Sequence, residues 1–209
     1  MEKLIDLSLP VGPGMHGIAV SSTHTLEKEG WNAADWSIYS HACTHADAPI
    51  HFGASPETID RMPLELFYGP AWIAHIDNVE PRQLLMPADL GPVADSFEPG
   101  GCLLLDTGWS QYVSDPAVYR DGLPRISEAL ANWCVDKEVK LLGVEPPSVA
   151  DVNNLAEVRK IHLILLGARI TIVEGLCNLD RLGTRSMFMA LPLKLQNGDG
   201  GPVRAVAFS

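Results

Sequence analysis

Positive charge is scarce in this sequence. Its 209 residues carry 15 lysines and arginines against 26 aspartates and glutamates, a formal net charge of −11. A nucleic-acid partner wants a basic face, and an anionic membrane surface attracts basic clusters, so the charge argues against both. Long apolar runs are missing too: nothing approaches the ~18 residues that span a bilayer. The opening MEKLIDLSLP puts Glu2 and Asp6 where a leader would need an apolar core, which argues against a signal peptide. Cysteine is sparse. Cys43, Cys102, Cys134 and Cys177 stand far apart with no C-x-x-C pair, so neither a disulfide framework nor a cysteine-built zinc site is expected, and a reducing cytoplasm is the default setting. Internal repeats, charge blocks and long Gly/Ser/Pro linkers are also absent. The length suits one sizeable core, and a single domain over residues 1–209 is expected.

What is present is a series of short apolar runs bounded by turn residues: Leu4 to Leu7, Trp36 to Tyr39, Ala71 to Ile76, Cys102 to Leu105, Leu141 to Val144, Ile170 to Val173, Met187 to Pro192 and Val203 to Phe208. These read as strands. Two stretches have helical periodicity. In Ile126 to Lys137 the residues Ile126, Ala129, Leu130, Trp133 and Cys134 form one stripe, and in Leu155 to Leu166 the residues Val158, Ile161, Leu165 and Leu166 do the same. Pro124 and Gly167 mark the expected boundaries. Strands outnumber helices without regular alternation, so the expected fold class is mixed α/β and strand-rich rather than a doubly wound parallel sheet. Trp36 and Trp109 read as core residues. Met15 and His16, in a Gly/Pro-rich loop, suit either a pocket wall or the surface.

The segment Ser40 to Phe52, S-H-A-C-T-H-A-D-A-P-I-H-F, holds three of the seven histidines and an aspartate. Neutral imidazole and carboxylate are ligands for zinc, manganese or iron. Donors to one metal lie about 2 Å from it, whereas a straight strand would separate His41 from Asp47 by roughly 20 Å. A chelating segment must therefore turn. His41 and His45, four apart, can share one face of a helical turn, with Asp47 in its exit. Pro49 biases Ala48 away from helix, so the chain is expected to be extended again by His51, which then lies near the metal without being forced to bind it. A closed structural zinc site would favour four Cys/His ligands; a carboxylate-containing set with fewer protein ligands leaves room for water, the catalytic arrangement.

This segment resembles the H-x-G-T-H-x-D-x-P-x-H-F signature of the metal-dependent cyclase family, which includes bacterial kynurenine formamidase and isatin hydrolase. Other stretches are similar to that family in the same order: Asp6-Leu7-Ser8 with Pro10 and Pro13-Gly14-Met15; Leu104-Leu105-Asp106-Thr107-Gly108-Trp109; His162 with Glu174-Gly175-Leu176-Cys177-Asn178-Leu179; and Ala190-Leu191-Pro192-Leu193-Lys194 with Gly201-Pro202-Val203-Arg204-Ala205. The resemblance implies a swivelling β/β/α fold. It implies metal binding by His41, His45 and Asp47, with His51 as the catalytic histidine. It further implies a second metal held by the bridging Asp47 with His162 and Glu174, although single-metal members exist. Alone, His162 would read as a core histidine and Glu174 as a strand-end charge. The implied reaction is hydrolysis of a small aromatic amide or lactam, N-formylkynurenine-like or isatin-like, with one or two divalent ions (Zn or Mn) per chain. A homodimer or higher homo-oligomer is implied as well. The alternatives are a cyclase or dehydratase acting on a polyketide-like acid, and a non-catalytic metal or small-ligand binding protein. Two departures from the family pattern bear on the substrate: Cys43 stands where glycine is usual, and Glu145 replaces an aspartate in Gly143 to Asp151, whose final Asp is displaced by one.

Overall fold

The computed structural model describes residues 3–208; Met1, Glu2 and Ser209 lie outside the described residues, and with Glu2 goes part of the leader reading. Among the described residues twelve strands follow one another: β1 (Leu4–Asp6), β2 (Ile18–His24), β3 (Ala33–Ile38), β4 (His45–Asp47), β5 (Tyr68–His75), β6 (Leu84–Leu85), β7 (Cys102–Asp106), β8 (Arg125–Ile126), β9 (Leu141–Val144), β10 (Thr171–Glu174), β11 (Arg185–Pro192) and β12 (Gly200–Phe208). The helices are α1 (Leu26–Glu29), α2 (Val93–Ser96), α3 (Pro116–Asp121), α4 (Glu128–Asp136) and α5 (Leu155–Gly167), with several short 3₁₀ turns between elements. The expectation of a mixed α/β, strand-rich fold holds.

Seven strands close a ring in the order β12-β11-β5-β7-β9-β10-β4, and β4 returns to β12; β1 adds to the outer half of β12. The central pairs β5–β7, β7–β9 and β9–β10 are parallel. Their apolar runs are continuous because both faces are buried. Leu103, Leu105, Leu142, Val144 and Ile172 point to the side covered by α4 and α5. Cys102, Leu104, Leu141 and Val173 point into the ring, where they meet Phe67, Ile73 and Phe188. Each strand thus serves two cores with a period of two.

The predicted helices are present, with different boundary chemistry. Pro124 is not the start of α4: β8 intervenes, and Ser127 caps the helix by accepting a hydrogen bond from Leu130 N at 3.0 Å. Asn154 caps α5 through Glu157 N at 3.3 Å. Trp109 is buried as expected; Trp36, expected in the core, is half-exposed on β3. Among the described residues no helix is long and apolar enough to cross a membrane.

Candidate metal centre

Ring closure brings the separated motifs together. The closing strand β4 carries His45 and Asp47, two apart and therefore on one face. Its antiparallel neighbour β10 sets Glu174 opposite His45, and its other neighbour β12 sets Gly200 opposite Asp47. α5 supplies His162 from its buried stripe.

The local geometry of the histidine segment differs from the sequence expectation in two places. His41 and His45 do not share a helical turn. Residues 40–44 form an irregular bend in which Cys43 adopts φ +55°, a left-handed conformation that ends any helix. That bend aims the Cys43 carbonyl at the His45 ring, which donates to it from Nδ1 at 3.0 Å. The second difference is that His51 lies in a 3₁₀ turn, Pro49–Phe52, rather than in extended chain. The turn still serves the expected end, stacking the His51 ring on that of His41 with centroids 3.7 Å apart. A left-handed backbone is one that glycine adopts without steric cost, so the observed φ of Cys43 is compatible with the glycine of the resembled signature. Gly175 is constrained in turn, since a Cβ there would stand 2.3 Å from the Cys43 carbonyl oxygen.

Hydrogen bonds fix which nitrogen each buried histidine presents. His45 spends Nδ1–H on Cys43 O, and His162 spends Nδ1–H on Val158 O at 2.7 Å. Both therefore turn Nε2 toward carboxylates. His45 Nε2 lies 3.2 Å from Glu174 Oε2 and 3.6 Å from Asp47 Oδ1; His162 Nε2 lies 3.5 Å from both Asp47 Oδ2 and Glu174 Oε1. His41 Nδ1 is 2.8 Å from Asp47 Oδ1, and its Nε2 is 3.1 Å from Asp199 Oδ2. Val149 N donates to Glu174 Oε1 at 2.8 Å and holds that carboxylate in place.

This donor set fits a divalent cation. His45 Nε2 and Asp47 Oδ2 are buried without a hydrogen-bond partner; the approach of His45 Nε2 to Glu174 is close but misaligned for a bond. Such orphaned atoms are costly unless something binds them. Imidazole lone pairs facing carboxylate oxygens repel unless protons or a cation intervene, and the charges respond accordingly. Burial opposes the protonated form of His41, but hydrogen bonds and attraction from Asp47, then Asp199, outweigh it and lift its pKa to about 9. Burial is likewise outweighed at His45 and His162, raised chiefly by Glu174. At Glu174 burial favours the neutral acid, yet His162 and His45 hold it well below the usual carboxylate range. His51 behaves differently: burial first, and then repulsion from His41 and His162, push its pKa down. Among the described residues three groups come within metal-binding span, one donor atom from each residue lying within 4.8 Å of the others: His41, His45 and Asp47; Asp47, His162 and Glu174; and His41, His51 and Asp199. Asp47 belongs to the first two.

The centre adjoins a cavity of about 620 Å³. His41, His51, His162 and Glu174 line it, together with the apolar Leu9, Met15, Phe52, Val113 and Val152. Cys43 is a wall residue and belongs to none of the donor groups. Its Sγ contacts Met15 Sδ at 3.4 Å, and burial pushes its thiol pKa up. Glu145 does not line the cavity. It is buried and accepts hydrogen bonds from Thr107 N, Thr107 Oγ1, Trp109 N and Ser110 Oγ, so it holds the turn after β7. Asp199 was missed by sequence reasoning because Asn197-Gly198-Asp199-Gly200-Gly201 reads as a turn; the signal available was the glycine pair beside it. A Cβ on Gly200 would come within 2.7 Å of His41 Cε1, so the His41 ring needs glycine there.

The cyclase family's sequence profile matches residues 5–151. The chain belongs to the cyclase family. Its relatives include the kynurenine formamidase of Geobacillus thermodenitrificans, 30% identical over 98% of this chain and 94% of the relative. That of Bordetella petrii is 26% identical over 99% and 98%. Among solved structures, isatin hydrolase A from Ralstonia solanacearum superposes with a TM-score of 0.88 at 23% identity, covering 99% of this cyclase-family chain and 92% of the other. An isatin hydrolase bound to the product analogue thioisatinate gives 0.91 at 18% identity, covering 100% and 92%. At these identities the structural matches establish the fold.

Proposed function

We propose that the chain is a metal-dependent amidohydrolase acting on a small aromatic amide or lactam, of the N-formylkynurenine or isatin type. The observation that carries this is the convergence of buried, unpartnered His45 Nε2 and Asp47 Oδ2 behind His41, His162 and Glu174, which line a largely apolar cavity. The names of the relatives supply the reaction class, and about 620 Å³ of cavity suits a ligand of that size.

In this reading His41, His45 and Asp47 would hold one ion, and Asp47 with His162 and Glu174 would hold a second. Nitrogen and oxygen donors suit zinc or manganese, one or two ions per chain. When bound, such an ion supplies Lewis acidity and lowers the pKa of water from ~15.7 toward ~7. His51 does the proton transfer. Its lowered pKa leaves it neutral and able to accept. It takes a proton from the attacking water and returns it to the departing nitrogen as the tetrahedral centre collapses. Asp199 Oδ2 lies 3.7 Å from His51 Nδ1, placed to attract the imidazolium formed between those two steps. The apolar walls exclude bulk water and receive the aromatic ring. The reading includes a small-molecule substrate, a cytoplasmic setting and a homo-oligomer, dimer or higher.

The test is a substrate panel. Protein stripped with chelator and reloaded with Zn²⁺ or Mn²⁺ is offered N-formylkynurenine, isatin and a hydroxylated polyketide-like acid. Formate release or ring opening, dependent on metal, is expected. Dehydration or cyclisation of the acid with no amide cleavage contradicts the reading, as does metal binding with no turnover of any of the three.

A further inference from the structure

The three histidines read as metal ligands place their ring protons differently. His45 and His162 each give Nδ1–H to a main-chain carbonyl, Cys43 O and Val158 O, and keep Nε2 for the centre. His41 is reversed. Its Nδ1 lies 2.8 Å from Asp47 Oδ1, which in turn lies 3.6 Å from His45 Nε2. Donors about 2 Å from one tetrahedral ion stand roughly 3–3.5 Å apart, so these three atoms have the spacing of a shared ion. His41 Nε2, on the far side of the ring, faces Asp199 Oδ2 at 3.1 Å. Of the three rings, His41 alone is backed by a carboxylate rather than a neutral carbonyl.

Asp199 is half-exposed, yet its main chain is stitched to the histidine segment. Its carbonyl accepts from Ala48 N at 3.0 Å, between Asp47 and Pro49. Before it, Gly198 O accepts from Ile59 N at 2.9 Å and Asn197 N donates to Asp60 Oδ1 at 3.0 Å. After it, Gly200 stands in register with Asp47 on β4. The carboxylate is thereby fixed beside two rings. One is His41; the other is His51, whose Nδ1 is 3.7 Å from the same Oδ2. Those rings stack with centroids 3.7 Å apart, so one oxygen reaches both.

We infer that Asp199 is the positioning residue of this centre. It accepts the hydrogen bond from His41 Nε2–H, which commits His41 to bind metal through Nδ1, and it holds the His51 ring over that ligand. The group that takes a ligand histidine's other N–H orients the ring and raises its basicity, and a charged acceptor makes the stronger hydrogen bond. The His41 half rests on the metal centre alone. The His51 half rests on the hydrolase reading, because it concerns turnover.

The test loads full-length protein, isotopically labelled in its histidine nitrogens, with Zn²⁺ and reads the rings by long-range proton–nitrogen NMR. His41 is expected with zinc on Nδ1 and a proton on Nε2, and His45 and His162 with the reverse. In Asp199→Ala the His41 Nε2 proton should vanish into exchange with water while the ring protons of His45 and His162 persist. Zinc affinity, read by competition with a chromophoric chelator, should fall about 10–100-fold. Alanine suits the backbone there, since φ of Asp199 is not positive. Asp199→Asn keeps an acceptor without the charge, and its affinity should fall between wild type and Asp199→Ala. Zinc on His41 Nε2, or wild-type affinity in Asp199→Ala, overturns the His41 half; wild-type affinity in Asp199→Asn overturns the need for a carboxylate. A wild type that takes up no zinc overturns the metal-centre reading and this proposal together. At saturating zinc, Asp199→Ala should lose at least ~10-fold in kcat with KM unchanged. Wild-type kcat there overturns the His51 half alone, whereas a wild type that turns over no substrate overturns the hydrolase reading and leaves the His41 half standing.

Discussion

Gly200→Ala isolates how the fold positions His41. Gly200 is buried in β12 opposite Asp47, and its φ is not positive, so alanine suits the backbone and any effect comes from contact alone. The added Cβ would stand 2.7 Å from Ala46 O, 2.7 Å from His41 Cε1 and 3.3 Å from His41 Nδ1. Reaching an ordinary separation of ~3.5 Å requires a shift of about 0.8 Å. Ala46 O is in the ladder and cannot give, so the imidazole moves. Chelation tolerates only about 0.2 Å of error in ligand distance. Metal affinity should fall at least 10–100-fold, the loss typical when a ligand's supporting contacts are disturbed. Overpacking should also cost about 1–3 kcal/mol, lowering Tm of the stripped protein by roughly 2–12 °C for a chain of this size. Competition with a chromophoric chelator reads the first effect and calorimetry the second. Wild-type affinity and Tm together would refute the view that His41 is held by close approach to a bare backbone.

Three further outcomes follow from the same geometry. His51→Ala should retain metal by elemental analysis yet lose turnover by about 10²–10⁴-fold; full activity with metal in place would remove His51 from proton transfer. His41→Ala and Asp47→Asn should instead emerge from purification depleted in metal, Asp47→Asn more completely because Asp47 is shared by the two groups read here as metal sites. In stripped protein, stability should fall as pH rises. The folded pKa of His41 is raised from 6.5 to about 9, so its contribution is fully present below ~6.5 and lost through ~9, a difference on the order of 3 kcal/mol. Bound metal displaces those protons, so a reloaded sample should show a flatter thermal profile over that range; identical profiles would contradict the proton-for-metal exchange.

The parts of this structure that were legible in the sequence are those set by local pattern. The runs Cys102–Asp106 and Leu141–Val144 read as buried strands because each faces two cores, and the α5 stripe is periodic enough to declare itself. β2 is hard to read because Ile18–His24 trades apolar residues for Ser21, Ser22 and Thr23, and none of its residues is fully buried among the described residues. β4 was missed because it is three residues long and sits between a bend and Pro49. The i, i+4 spacing of His41 and His45 suggested a helical turn, but a left-handed Cys43 cannot be read from spacing. Donor chemistry was visible within Ser40 to Phe52; the nearness of His162, Glu174 and Asp199 was not, because it arises from the β4–β10 and β4–β12 pairings that close the ring. Family resemblance supplied His162 and Glu174, and neither resemblance nor spacing supplied Asp199.

The most direct test of the account is metal titration of activity. Chelator-stripped protein receives Zn²⁺ or Mn²⁺ in sub-stoichiometric steps while hydrolysis of N-formylkynurenine and isatin is followed. The account predicts no turnover at zero metal, and a rise that tracks bound metal and saturates at one or two equivalents per chain. Full activity in the stripped protein, or saturated metal binding with no hydrolysis of either compound, would contradict it.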